Sequence, residues 1–189
     1  MTSALPNVLT VARLVAVPVF VALMLLDEGR EGSARWWAVA VFMVAAATDY
    51  LDGYLARRWR VVSAFGKLAD PIADKALVLG ALVMLVIVDG IPWWPVAIIA
   101  AREVWVTVGR LLVAGDTVIA ASRGGKVKTL AQLLAVWLYL LPGMPAGVDV
   151  AAWWVLLVAT ALALVTGVDY TVKIVEAARH QRAGGRATA

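Results

Sequence analysis

Four aspartates dominate the chemistry open to this chain. Asp49, Asp52, Asp70 and Asp74 fall in one window, DYLDGYLARRWRVVSAFGKLADPIADK, of a sequence that is 63% hydrophobic. On a helix, at about 100° per residue, Asp49, Asp52, Gly53, Ala56 and Arg57 lie within an arc of roughly 140°. Gly66, Asp70 and Asp74 follow at i, i+4 and i+8, which is again one face if helical. The short connection makes the two helices antiparallel neighbours, so their carboxylates converge at one end of the pair. Gly53, Ala56 and Gly66 lack bulk on those faces and leave room for close helix approach or for a ligand.

Converging carboxylates repel one another unless cations sit among them. Oxygen-only donor sets suit hard ions such as Mg²⁺ or Mn²⁺. A site of that kind suits phosphoryl chemistry, in which metal ions neutralise charge on phosphate oxygens. The plainer alternative is salt bridging, because Arg57, Arg58, Lys67 and Lys75 are close in sequence. Ionisable groups inside a membrane are costly and are functional by default. Four acids in matched register favour the metal reading over the salt-bridge one.

The elements that must position these acids are membrane elements. Only 16% of the 189 residues are charged, and mean hydropathy is +0.87. Soluble domains are about a quarter charged, so the composition indicates an integral membrane protein. Six apolar runs, each near the roughly 20 residues that span a bilayer, cover about 8–26, 36–56, 71–88, 92–114, 127–142 and 152–172. Breakers separate most of them: Gly29 and Gly32, Gly90 and Pro92, Gly124 and Gly125, Pro142 to Gly147. Pro71 suits the first turn of the third helix, where its missing N–H costs nothing. The expected fold is all-α, a polytopic bundle of six transmembrane helices. Residues 1–175 are expected to form one catalytic domain and 176–189 a cytoplasmic polar tail, whose final stretch, AARHQRAGGRATA, reads as disordered. No basic n-region or A-x-A site accompanies the first run, so that helix is expected to be retained.

Loop charges assign sidedness. Arg57, Arg58, Arg60 and Lys67 lie between runs two and three. Arg123, Lys126 and Lys128 lie near the start of run five, and Arg179, Arg182 and Arg186 in the tail. The opposite loops hold only Arg30 and Arg35, beside Asp27, Glu28 and Glu31. By the positive-inside rule both termini and the aspartate-bearing loop are cytoplasmic. Trp36-Trp37, Trp93-Trp94 and Trp153-Trp154 fall at the opposite ends, as an interfacial girdle would.

Several chemistries are excluded or disfavoured. There is no cysteine, so thiol catalysis, disulfides and cysteine-ligated zinc are impossible. The single histidine, His180, lies in the polar tail and reads as solvated. Basic residues are dispersed among apolar segments, which argues against nucleic-acid binding. Met24, Met43 and Met84 read as packing. Arg102 and Glu103, deep in run four, demand partners, and Arg13 and Lys173 raise the same question. Arg13 alternatively lies near the headgroups if run one begins with an interfacial segment.

The spacing D-x₂-D-G-x₂-A-R-x₈-G-x₃-D-x₃-D, matched at every fixed position from Asp49 to Asp74, resembles the signature of the CDP-alcohol phosphatidyltransferases. PNVLTVARL at 6–14, AREVWVTVGR at 101–110 and GKVKTLAQ at 125–132 resemble the bacterial branch that uses sn-glycerol 3-phosphate as acceptor. The resemblance implies a six-helix homodimer in the bacterial inner membrane, with its active site open to the cytoplasm. It implies transfer of a phosphatidyl group from CDP-diacylglycerol to an alcohol, with release of CMP. It implies divalent metal, Mg²⁺ or Mn²⁺ and two ions, at Asp49, Asp52, Asp70 and Asp74, with Asp74 also the general base. Asn7, Thr10, Gly53, Ala56, Arg57, Ser63 and Gly66 are expected to hold the CDP-lipid.

The acceptor phosphate needs basic donors, and Arg102, Arg110, Lys126 and Lys128 are the candidates. The plain alternative for the lysines is anchoring to lipid headgroups. Relatives of the family use other acceptors, phosphatidylglycerol or an inositol phosphate among them. An ion-coupled transporter is the rival from another class. Against it, the acids gather at one membrane face, and no inverted repeat is visible.

Overall fold

Each of the six apolar runs contributes one helix. These are α1 (Ala4–Asp27), α2 (Ser33–Trp59), α3 (Ala64–Val88), α4 (Trp93–Leu112), α5 (Arg123–Leu140) and α6 (Ala146–Ala187). The computed structural model describes the backbone of residues 4–29, 32–59, 64–112 and 123–187. It describes side chains over 11–29, 32–48, 75–109, 124–145 and 147–176. Among the described residues there is no strand, so the all-α expectation holds.

The helix ends differ from the apolar runs in three places. α3 begins at Ala64 rather than near Pro71, so Pro71 lies in its interior. A proline there lacks the N–H that would bond four residues back, yet the helix continues through it. α5 begins at Arg123 and includes Gly124 and Gly125, which had read as breakers. In a first turn the backbone amides have no intrahelical partner anyway, so glycine costs little there. α6 continues past the apolar run to Ala187 through the segment expected to be disordered. The cause is common to all three: hydropathy marks where a helix becomes polar, not where it stops.

Where helices do stop, glycine allows the turn. Glu28 and Gly29 close α1 at φ 51° and 73°. A Cβ on Gly29 would also lie 3.1 Å from the Val88 carbonyl oxygen. Gly90 and Gly143, at φ 68° and 71°, turn the chain after α3 and α5.

The chain divides into two compact units. The first comprises residues 1–93 and 136–152, with α1 packed along both α2 and α3. The rings of Phe20 and Phe42 meet at 5.9 Å, and Val17 lies against Gly80. Met24, Ala38, Ala45, Leu77, Ala81, Leu82, Met84 and Leu85 complete this core. Of the three methionines read as packing, Met43 is the exception and faces outward.

An ion network closes one end of this unit. Arg35 is buried, and its guanidinium pairs with Asp89 at 2.5 Å and with Asp27 at 3.8 Å. It also donates to the Met24 sulfur, while Asp27 accepts from the Gly32 amide at 2.8 Å. This network ties the α1–α2 turn to the end of α3. It places the C-termini of α1 and α3 beside the N-terminus of α2, so α1 and α3 run parallel and α2 antiparallel.

The second unit comprises residues 94–135 and 153–189. Here α4 and α6 run side by side in the same direction. Trp105 Nε1 donates to Thr171 Oγ1 at 2.9 Å, and Trp94 meets Trp153 edge to face. Two glycines permit the approach. A Cβ on Gly109 would fall 2.5 Å from Ile174 Cδ1, and one on Gly167 would fall 3.1 Å from Arg102 Cγ.

The outward faces are apolar. Val150, Trp154, Val158, Val165, Val168 and Val172 are exposed along α6, as are Val11, Val15 and Val19 on α1. Soluble monomers rarely expose contiguous apolar patches on that scale. Among the described residues, Gly147–Glu176 is the one segment long and apolar enough to cross a membrane. Ser33–Thr48 and Lys75–Val88 are shorter apolar stretches.

Candidate active site

The aspartate motif occupies two helix ends of the first unit. Asp49, Asp52, Gly53, Ala56 and Arg57 lie in the last turns of α2, and Gly66, Asp70 and Asp74 in the first turns of α3. The helical periodicity assumed for both halves of the motif is therefore present. Asn7 and Thr10 fall in the first turns of α1. The side chains of all these residues, and that of Arg110 on α4, lie outside the described set, and Ser63 lies outside it altogether.

Arg13, on α1, has a described side chain. It is only 1% exposed and ranks among the largest fully buried side chains. Its guanidinium is thus enclosed by protein. Sequence reasoning noted its cost but gave it no role.

The second unit shows what Arg102 and Glu103 do. Arg102 Nη1 donates to Glu103 Oε1 at 3.0 Å, and Nη2 donates to Thr166 Oγ1 at 3.0 Å. Its guanidinium carbon stands 5.4 Å from the centre of the buried Tyr170 ring. Lys128 Nζ donates to the same Glu103 Oε1. Both Glu103 and Lys128 are buried. One carboxylate thus neutralises two cations and joins α4 to α5, while Arg102 joins α4 to α6. Charges this far from water need such pairing.

Thr166 and Tyr170 had no signal in the sequence. Each sits on α6 near Gly167, whose missing side chain admits the Arg102 stem. Of the four candidate acceptor cations, Arg102 and Lys128 are thus engaged with protein groups. Lys126 is exposed at the start of α5. Lys173 is a surface residue that pairs with Asp169 at 2.7 Å.

Comparison with known proteins is consistent across the chain. The sequence model of the family described as CDP-alcohol phosphatidyltransferase matches residues 3–166. A probable phosphatidylglycerophosphate synthase of Mycobacterium tuberculosis is 44% identical over 169 residues, covering 89% of this chain and 80% of that protein. A CDP-diacylglycerol–glycerol-3-phosphate 3-phosphatidyltransferase of Bacillus subtilis is 40% identical over 189 residues, covering 92% and 96%. A protein of the same description from Rickettsia typhi is 36% identical over 170 residues, covering 88% and 94%.

Proposed function

The chain belongs to the CDP-alcohol phosphatidyltransferases, and from that premise we propose that it transfers the phosphatidyl group of CDP-diacylglycerol to sn-glycerol 3-phosphate. The products are phosphatidylglycerophosphate and CMP. One observation carries the reading. The eight fixed positions of the aspartate motif fall on the facing ends of α2 and α3, within a chain whose relatives bear the name of this reaction along nearly their whole length.

The donor set fits divalent metal. Asp49, Asp52, Asp70 and Asp74 offer only hard oxygen ligands, at helical spacings that bring each pair to one face. Mg²⁺ or Mn²⁺ held there, as one ion or two, would offset charge on the pyrophosphate and on departing CMP. The chain's own part in the reaction is positional and acid–base. Asn7, Thr10, Gly53, Ala56, Arg57, Ser63 and Gly66 form the CDP-lipid site. Asp74 takes the proton of the acceptor hydroxyl as its oxygen attacks the lipid-side phosphorus. That P–O bond forms as the bond to CMP breaks, in a single displacement without a covalent enzyme intermediate. Orientation and electrostatics dominate such transfers.

Arg110 and Lys126 are the donors proposed for the acceptor phosphate. Arg102 and Lys128 contribute positive charge to the same region, but Glu103 already holds their donors. The protein is proposed to be a six-span membrane enzyme of the bacterial inner membrane, with one catalytic domain over 1–175. Its active site and termini face the cytoplasm, and its exposed apolar faces meet lipid and a second copy in a homodimer. The tryptophan pairs near the N-termini of α2, α4 and α6 support that sidedness. Mass identification of the product from a panel of acceptors tests the assignment. Phosphatidylglycerophosphate is expected, and product from another alcohol alone would contradict it.

A further inference from the structure

We propose that Gln132 is a specificity-determining residue of the acceptor site, whose Nε2 donates to the hydroxyl of glycerol 3-phosphate that does not attack. The proposal rests on the glycerophosphate reading above and names how the second unit would recognise that acceptor.

Gln132 lies on α5, within the second unit, and is only 3% exposed. Among the described residues its Nε2 finds no hydrogen-bond partner. A primary amide nitrogen carries two N–H donors, and leaving a buried donor unmade costs its full desolvation. Buried polar groups in folded proteins are nearly always paired. Arg35 and Arg102 also leave Nε unpaired, yet their other nitrogens are engaged with protein groups. Gln132 instead has its whole donor group stranded.

The neighbouring chemistry indicates what would complete it. Lys128 lies four residues earlier, so the two side chains share one face of α5. That face meets α4, because the Lys128 ammonium donates to Glu103. A helical side chain leans toward the N-terminus of its own helix, which takes the Gln132 amide toward this ion network. Two cations there share one carboxylate, so donors and positive charge are in surplus. Such surroundings favour a ligand that supplies oxygen lone pairs.

Of the substrates in the proposed reaction, the acceptor is the one whose candidate donors lie on this helix. Lys126, exposed in the first turn of α5, stands six residues before Gln132. The two are about 9 Å apart along the axis and about 120° apart around it. They would therefore flank a small molecule rather than share one of its groups. A phosphate calls for a cation, whereas an uncharged hydroxyl suits an uncharged amide. Glycerol 3-phosphate has two hydroxyls. One attacks phosphorus and gives up its proton. The other stays intact, and in a buried site it needs a partner of its own. Lys126 would hold the phosphate and Gln132 that second hydroxyl.

The test compares glycerol 3-phosphate with 3-hydroxypropyl phosphate, which keeps the phosphate and the attacking hydroxyl but lacks the other one. The ratio of their kcat/KM values is measured for the purified full chain in detergent, with CDP-diacylglycerol and Mn²⁺, for wild type and Gln132→Met. Wild type should prefer glycerol 3-phosphate. In Gln132→Met that preference should fall by about tenfold or more, because the second hydroxyl is left unpaired. The Tm measured without acceptor should stay level or rise, since an apolar side chain of similar shape removes a stranded donor. A wild type without the preference overturns the inference, as does a preference that survives in Gln132→Met. So does a Gln132→Met that fails to fold or melts well below wild type, because the amide then holds the structure. A wild type that forms no phosphatidylglycerophosphate overturns the reaction reading and the inference with it, whereas every other outcome leaves the reaction standing.

Discussion

Lys128 on α5 donates its ammonium to the Glu103 carboxylate on α4, and both side chains are buried. That contact converts two residues that look like isolated membrane charges into a helix-to-helix link. Glu103 also receives Arg102, which reaches Thr166 and Tyr170 on α6. Three helices of the second unit thus depend on one carboxylate.

Glu103→Gln should therefore destabilise the protein strongly. Breaking one partner of a buried pair costs about 3–5 kcal/mol, and here two cations lose their counterion. Thermal melts in detergent should show it. Replacing Lys128 by Met in the same chain should recover part of the loss, because the stranded ammonium is removed. A Glu103→Gln variant that melts like wild type would show that the network carries no weight.

Gly109 tests the α4–α6 approach. A methyl there would sit 2.5 Å from Ile174 Cδ1. Gly109→Ala is expected to cost about 1–3 kcal/mol through overpacking. Ile174→Val removes the offending carbon and should restore much of the Tm in the double variant. Additive losses in the pair would mean that the helices do not meet there.

Lys126 and Lys128 should separate binding from stability. If Lys126 holds the acceptor phosphate as proposed, Lys126→Ala removes one charge-assisted hydrogen bond, worth about 1.5–3 kcal/mol. The KM for glycerol 3-phosphate should rise roughly 10–100-fold, with Tm and the KM for CDP-diacylglycerol little changed. Lys128→Ala should lower Tm first. The opposite pattern would exchange their roles.

Asp74→Asn should abolish transfer while leaving the fold intact. Loss of a general base costs about 10²–10⁴ in rate, and the amide keeps the side chain's shape. CMP release measured against an unchanged melting curve checks this. Activity above a tenth of wild type would remove Asp74 from the proton transfer.

Much of this was legible in the sequence, and the reasons are physical. Apolar runs near bilayer length have few options but helix, so all six elements were visible. The aspartate motif was visible because helical spacing puts chemically costly groups on one face. Helix ends were less visible: Lys67, Asp70 and Arg182 are polar yet helical, and Gly124 and Gly125 occupy a first turn where glycine is tolerated. Partners were invisible. Nothing near Arg102 in sequence announces Thr166 or Tyr170, because those contacts join positions more than sixty residues apart. Arg35 likewise read as a loop charge until Asp89 was found against it.

The most direct test of the central claim is product analysis with the purified wild-type protein. CDP-diacylglycerol and sn-glycerol 3-phosphate are supplied with Mg²⁺ or Mn²⁺, and parallel samples contain EDTA. Phosphatidylglycerophosphate and CMP should appear in equal amounts, only with metal and only when both substrates are present. Absence of both products under every metal condition, or equal turnover in EDTA, would contradict the account.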